Sequence, residues 1–337
     1  MIEPRDNTKQ SLRVLVTGAN GCVGKAIASH LLKEGMVVSA TGRTRQNAEG
    51  LPGYFTSDVT VPDSMTDSLS GVDVVVHAAG LAHLFDKGRS EKGRFLEINA
   101  GGTESVARAA LKAGVGHFIL ISSVSVYGAH GKGVCDENSP CQPTEPYGVS
   151  KFEAERRAIE MFRGTDTCVT ILRLATVYGE GDRGNVSRLI STINRNRFVW
   201  IGRGQNLKSL IHCADVARAC SLVLVSPCDG INAYNVSAPP HTMREIVEAI
   251  AEALARPVPR LRVPPRTALV AASLLQFLAG RDSKIGGLKS TIEKWLSDDA
   301  YDWHKFEARF RFVPEVDLRE GLKREVAWLS QSAPKQV

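Results

Sequence analysis

The chain has 337 residues, 43% hydrophobic and 23% charged, a balance that belongs to a folded globular protein and excludes a disordered one. Its formal net charge of +6 is modest, its Lys and Arg read as scattered among acids, and only 6% of residues are aromatic. The basic stripe of a nucleic-acid-binding surface is therefore not expected, whereas small ligands carrying phosphates suit the sign.

Met1–Ser11 is polar and lacks the apolar core of a signal peptide. Short β-branched runs then alternate with helical patterns. Leu12–Thr17, Val37–Thr41, Val72–His77, His117–Ser122 and Cys168–Leu174 read as strands, and Lys25–Glu34, Gly102–Ala113 and Ser150–Phe162 as helices. The strands are apolar almost throughout, as in a parallel sheet covered on both faces, so the fold class is α/β with a doubly wound sheet. Past residue 178 the pattern loosens into Gly-, Asn- and Pro-rich turns. The expected division is a cofactor domain over 11–178, with a return to the sheet near 208–236 (Ala233–Val236 as its strand). A smaller interleaved C-terminal substrate region takes 179–207 and 237–330. The longest apolar run, Ala268–Ala279, is broken by Ser273 and Gln276 and is too short to span a bilayer. It is expected as a buried or dimer-facing helix, with a position on a membrane surface as the other reading.

The seven cysteines form no CxxC pair. Neither a zinc site nor a disulfide framework is expected, and a reducing cytoplasm fits. No metal is called for.

Thr17-Gly18-Ala19-Asn20-Gly21-Cys22-Val23-Gly24 follows the first strand and opens a helix. Such glycines let the backbone turn sharply and approach a pyrophosphate, whose charge faces the free N–H groups of the helix N-terminus. The second strand should end near the adenosine ribose, where an NAD enzyme places an acid. Here Ala40-Thr41-Gly42-Arg43-Thr44-Arg45 has none. Arg43 either pairs with a 2′-phosphate, which points to NADP rather than NAD, or is a solvated loop residue.

The TGxxGxxG spacing resembles the short-chain dehydrogenase/reductase family, which implies a Rossmann-type fold. On that resemblance Asp58-Val59 corresponds to the adenine-contacting turn, Ala78-Ala79-Gly80 after His77 to the NxAG-type turn, and Asn99 to a further family position. Tyr147-Gly148-Val149-Ser150-Lys151 carries the chemistry. Positions i and i+4 share a helix face, so the Lys151 ammonium can lie beside the Tyr147 phenol and, with the positive charge of an oxidised nicotinamide, lower its pKa. Ser123, four residues before Tyr127, matches the family's catalytic serine, with Ser125 beside it.

The resemblance extends along nearly the whole chain to the extended branch, the NAD-dependent epimerase/dehydratase family. Leu172–Gly179 resembles its turn into the substrate region, Asn185 its phosphate-meeting asparagine, and Ser209–Ala217 its "YIHVDDVA" segment, in which His212 reads as a packed structural residue. Dehydratases carry an Asp-Glu pair after the catalytic hydroxyl, where this chain has Val124 and Ser125, so elimination of water is not expected. The resemblance then implies an oxidoreductase or epimerase acting at C4 of a UDP-sugar, with NAD or NADP as cofactor. The run His77–His83 and the turn Arg183-Gly184-Asn185 look closest to polysaccharide-locus members. Lys208 stands where many epimerases have a diphosphate-gripping arginine. With Arg43 and the missing acid it tilts the choice toward a 4-ketoreductase exchanging NADPH, the 4-epimerase being its close rival. A hydroxysteroid- or flavonoid-like alcohol dehydrogenase is a further alternative, favoured only by the apolar 268–279 run. A non-catalytic NAD(P)-binding regulator is another, opposed by the complete Ser123, Tyr147 and Lys151 set. A homodimer through Gly102–Ala113 and Ser150–Phe162, with no integral membrane segment, completes the expectation.

Overall fold

The computed structural model describes residues 12–45, 48, 50–61, 63–82, 91–129, 133–279 and 288–332. Met1–Ser11 and His83, both used in the sequence reading, lie outside the described residues. Seven strands, β1 (Arg13–Thr17), β2 (Val37–Gly42), β3 (Tyr54–Thr56), β4 (Val74–His77), β5 (His117–Ser123), β6 (Cys168–Leu174) and β7 (Ile231–Val236), form one sheet. Its order is β7-β6-β5-β4-β1-β2-β3, with every pairing parallel. The chain runs outward from β1 to one edge and then returns to build the other, so the switch point lies between β1 and β4, where such sheets bind ligands.

Side chains alternate across the strands and feed two cores. Val14, Val16, Ile119, Ile121, Leu172 and Leu174 point to one face. Leu15, Phe118, Leu120, Val169 and Ile171 point to the other. The first face is covered by α1 (Cys22–Lys33), and the second by α2 (Gly102–Lys112) and α3 (Pro146–Phe162). The remaining helices are α4 (Asn185–Asn194), α5 (Cys213–Leu224), α6 (Met243–Ala253), α7 (Pro265–Ala279), α8 (Leu288–Leu296), α9 (His304–Phe310) and α10 (Leu318–Ser332). A third core, containing Tyr178, Ile190, Trp200, Ile246, Ile250 and Leu322, lies on the C-terminal side.

Several expectations need correction. Helix α3 starts at Pro146 rather than Ser150, because proline suits the first turn, where its missing N–H is not needed. Phe306 and Phe312 lie in the first sheet core, although 237–330 was assigned to the substrate region. Phe306 packs edge-on against Tyr234 of β7 and Phe312 against Phe306, a contact that joins residues too far apart in sequence to foresee. Helix α7 forms where the apolar run was found but is not buried within the chain: Val270, Leu274 and Leu275 are 68%, 58% and 46% exposed. Cys168 and Cys228 are disulfide-bonded, with Cα atoms 6.1 Å apart, because the return into β7 lays its leading loop beside β6. The other five cysteines are free. Among the described residues no helix is long and apolar enough to cross a membrane.

Candidate active site

A cavity of ≈ 2320 Å³ runs over the C-terminal ends of β1, β4 and β5, and every residue assigned a role from sequence lines it. At one end, Gly18, Asn20, Gly21, Cys22, Val23 and Gly24 turn the chain from β1 into α1. Gly18 has φ +69°, and a Cβ there would come within 2.6 Å of Ala79 Cα, so the turns after β1 and β4 close on each other at the switch point. A Cβ on Gly24 would strike the Gly18 carbonyl oxygen. The residues present thus form the tight turn and free helix N-terminus that a dinucleotide pyrophosphate requires.

Toward the adenosine end, Arg43, Asp58 and Val59 line the same cavity. Hydrogen bonds from the Thr60 amide and hydroxyl hold the Asp58 carboxyl below its usual range, and the nearby Arg43 adds to this. Beneath the switch point a buried relay fixes the backbone. Thr17 Oγ1 accepts from the Ala79 amide (3.1 Å), His77 bridges Thr17 (2.8 Å) and Thr103 (3.1 Å), and Thr103 donates to the Asn99 carbonyl (2.6 Å). Burial, followed by the charge of Lys151, pushes His77 down to about 3, so this imidazole is neutral. Asn99 lies in a π-helical turn, Leu96–Gly101. Its side chain binds the Leu81 amide (2.7 Å) and carbonyl (3.0 Å) and donates to Ser150 (2.8 Å), tying α3 to the cofactor side.

Ser123 ends β5 and donates to Ser125 (3.1 Å), and Tyr147 opens α3 beside it. Burial raises the Tyr147 pKa above its ordinary value, and the neighbouring Ser123 hydroxyl offsets part of that. Lys151 was expected to lower it. Instead the Lys151 ammonium donates to the Ile121 carbonyl at 2.5 Å, and burial brings its own pKa down to about 8 against the opposing pull of Glu155. The dry pocket penalises the charged forms of both groups, and i,i+4 spacing alone does not show this.

Below them lies a cluster that sequence reading missed. Glu155 of α3 accepts from Arg173 Nη2 (2.8 Å) and from Ser122 (2.5 Å). Arg173 also donates to Tyr127 (3.0 Å), whose hydroxyl donates to Asn235 of β7 (2.7 Å). An Arg in an otherwise apolar β6 and a Glu one turn after Lys151 were the available signals.

On the opposite wall, Asn185 begins α4, but its helix N-terminus is already occupied, since Asp182 accepts from the amides of Gly184 (2.7 Å) and Ser187 (3.2 Å). Lys208 was read as a hand for the diphosphate. Its ammonium is held by Asp299 (2.5 Å) and the carbonyls of Lys294 and Ser297 (2.9 Å each), which take all three of its protons. It braces β-structure to the 294–299 segment, about ninety residues on, which local sequence could not disclose. Arg188, Arg197 and Trp295 also line this wall and were not foreseen. His212 is a structural residue, as read: its Nδ1 accepts from the Ala214 amide at the start of α5 (3.2 Å). Glu180, His212 and Cys213 bring donor atoms within 4.8 Å of one another, and each has a protein partner. Glu325 is buried and accepts from the Gly179 amide (3.0 Å). Burial, then Asp182, raises its pKa to about 9.

The parallel sheet, the glycine turn at its switch point and the Ser–Tyr–Lys end of the cavity define an extended short-chain dehydrogenase/reductase. Residues 14–237 match the NAD dependent epimerase/dehydratase family, and the chain belongs to it. It is 28% identical over 324 residues to the N-acetyl-alpha-D-glucosaminyl-diphospho-ditrans,octacis-undecaprenol 4-epimerase of Escherichia coli O157:H7, covering 94% of each chain. It is 29% identical to the UDP-glucose 4-epimerase of Vibrio cholerae, covering 94% of this chain and 95% of that one. Among solved structures it is similar to MoeE5 in complex with UDP-glucose and NAD, with a TM-score of 0.75, 27% identity and coverage of 96% and 100%.

Proposed function

We propose that this enzyme interconverts a secondary alcohol and a ketone at C4 of a diphosphate-linked sugar, as a 4-epimerase. One observation carries the reading. Ser123, Tyr147 and Lys151 meet at one end of a cavity whose other end is the Gly18–Gly24 turn, and no Asp-Glu pair follows Ser123. Ser123 orients the sugar hydroxyl, Tyr147 takes its proton during oxidation and returns one during reduction, and Lys151 holds the nicotinamide ribose. Bound nicotinamide would accept the carbinol hydride and give it back to the opposite face. Gly18 to Gly24 cradle its pyrophosphate, with Asp58, Val59, Ala78, Ala79, Gly80 and Asn99 along its length. Asn185 and Ser125 face the sugar side.

The two full-length relatives named above are both 4-epimerases, one acting on a UDP-sugar and one on a polyprenyl-diphosphate sugar. The diphosphate sugar is their shared element, and we carry only that to this chain. A second reading, a 4-ketoreductase exchanging NADPH, keeps a specific ground: Arg43 lines the adenosine end where no acid stands. Its other ground also stands, because Lys208, held by Asp299, offers the diphosphate no free ammonium where many epimerases have an arginine. The steroid- or flavonoid-like alternative rested on the apolar helix, and no described residue of α7 lines the cavity. We propose a homodimer through α2 and α3, which Arg157 and Glu104 hold side by side within one chain at 2.9 Å.

The test is to offer the purified protein UDP-galactose or UDP-N-acetylgalactosamine with no added cofactor. The sugar is followed by NMR, and the nucleotide released on denaturation is identified. Sustained formation of the 4-epimer with retained NAD is expected. One-way reduction of a UDP-linked 4-ketosugar that starts only with added NADPH would establish the ketoreductase, and no C4 chemistry on the sugars or the ketosugar would overturn both readings.

A further inference from the structure

Among its described residues, helix α7 buries Ala272 and exposes Val270, Leu274 and Leu275. Ala272 is 1% exposed and Ala268 half-buried, whereas Val270, Ala271, Leu274 and Leu275, at helical spacing i, i+1, i+4 and i+5, share the outer face. Just upstream, Val258 and Leu261 are also exposed, at 41% and 63%.

The segment leading into this face is basic, while the two lysines of α8 have acidic neighbours, Lys289 with Glu293 and Lys294 with Glu145. Arg256, Arg260, Arg262 and Arg266 are exposed before it, and Lys289 and Lys294 follow in α8. Segment 256–289 holds seven basic residues and one acid, a net +6 that equals the formal charge of the whole chain, so the rest sums to neutrality. Most basic residues are scattered among acids, as the sequence reading took them, but the uncompensated excess falls in this segment. Among the described residues no carboxylate pairs with Arg260, Arg262 or Arg266.

We propose that the outer face of α7, with the arginines of 256–266, seats the protein on an anionic bilayer surface. The leucines enter among the headgroups and the guanidinium groups meet lipid phosphates. At 15 residues the helix is too short to cross and lies flat. A second copy of this chain is the poorer occupant, since it would set the same positive segment against itself. The seat adjoins the cavity: α8 packs on α7, and Thr291, Ile292, Lys294 and Trp295 of α8 line the cavity wall. The proposal rests on exposure and charge and stands apart from the hydride chemistry proposed above.

Sedimentation of the full chain with vesicles tests it, using phosphatidylcholine alone or phosphatidylcholine with 30% phosphatidylglycerol. Binding only to the anionic vesicles, weakened by salt, is expected. Leu274→Ser/Leu275→Ser and, separately, Arg260→Gln/Arg262→Gln/Arg266→Gln should each lower the partition coefficient by roughly tenfold or more. Thermal unfolding and turnover of a water-soluble sugar nucleotide should stay unchanged. A wild type that remains in the supernatant with anionic vesicles overturns the proposal. So does a leucine variant whose only change is a smaller mass on gel filtration, which would make the face an interface between copies.

Discussion

Two buried polar clusters flank the cavity, and they are built on opposite principles. Under the catalytic hydroxyls, Glu155 and Arg173 neutralise each other, and their remaining hydrogen-bonding positions are taken by Ser122 and Tyr127. On the opposite wall, Glu325 is buried near Asp182 and Glu180, and among the described residues no cation is paired with it. The matched pair is satisfied by its own charges and hydrogen bonds, while the crowded acid is pushed to hold its proton instead. The turn at Gly179 therefore hangs on a group whose protonation changes with pH.

The largest effect should come from breaking the matched pair. Glu155→Ala leaves Arg173, 10% exposed, without its counter-charge. Urea unfolding should show a loss of about 3–5 kcal/mol. A loss under ~1 kcal/mol would mean that the pair does not brace the floor.

Next is the chemistry standing on that floor. On the proposed role of Tyr147 as proton carrier, Tyr147→Phe should lower turnover at least ~10²-fold while leaving the unfolding midpoint nearly unchanged, because it removes the hydroxyl and not the frame. Near-wild-type turnover would separate this cluster from catalysis altogether.

The smallest effect probes the other wall. The Glu325 carboxyl has a folded pKa of about 9 against an ordinary 4.5, so between those values the folded state holds a proton that the unfolded state gives up. Its stabilising contribution is complete below the lower value and is lost as pH rises toward the higher one. Wild-type stability should therefore fall from pH 6 to pH 9. Glu325→Gln, which keeps an acceptor for the Gly179 amide and has no carboxyl to protonate, should be more stable than wild type at pH 7 and flatten that slope. An unchanged slope in the variant would show that another group titrates.

What was legible in the sequence is what local physics dictates. Apolar β-branched runs can only be strands covered on both sides, and Gly18 with its neighbours can only be a tight turn into a helix, so sheet and cradle were readable residue by residue. The i,i+4 relation of Tyr147 and Lys151 placed both side chains on one helix face. Their actual neighbours, Ser123 and the Ile121 carbonyl, depend on how α3 docks against β5.

Everything that required two distant segments to meet was decided by tertiary structure. Lys208 looked like a free hand for phosphate until Asp299 arrived beside it, and Arg173 looked like an oddity in a strand until α3 brought Glu155 to it. The outward face of α7 belongs to the same class. Its apolar composition was plain in the sequence, but burial depends on whether another element comes to cover it, and among the described residues none covers Leu274 and Leu275. Composition determines what a segment can bury or pair with. Only the packed chain determines what stands near enough to be its partner, because desolvation and hydrogen bonding act over a few ångströms and not along the sequence.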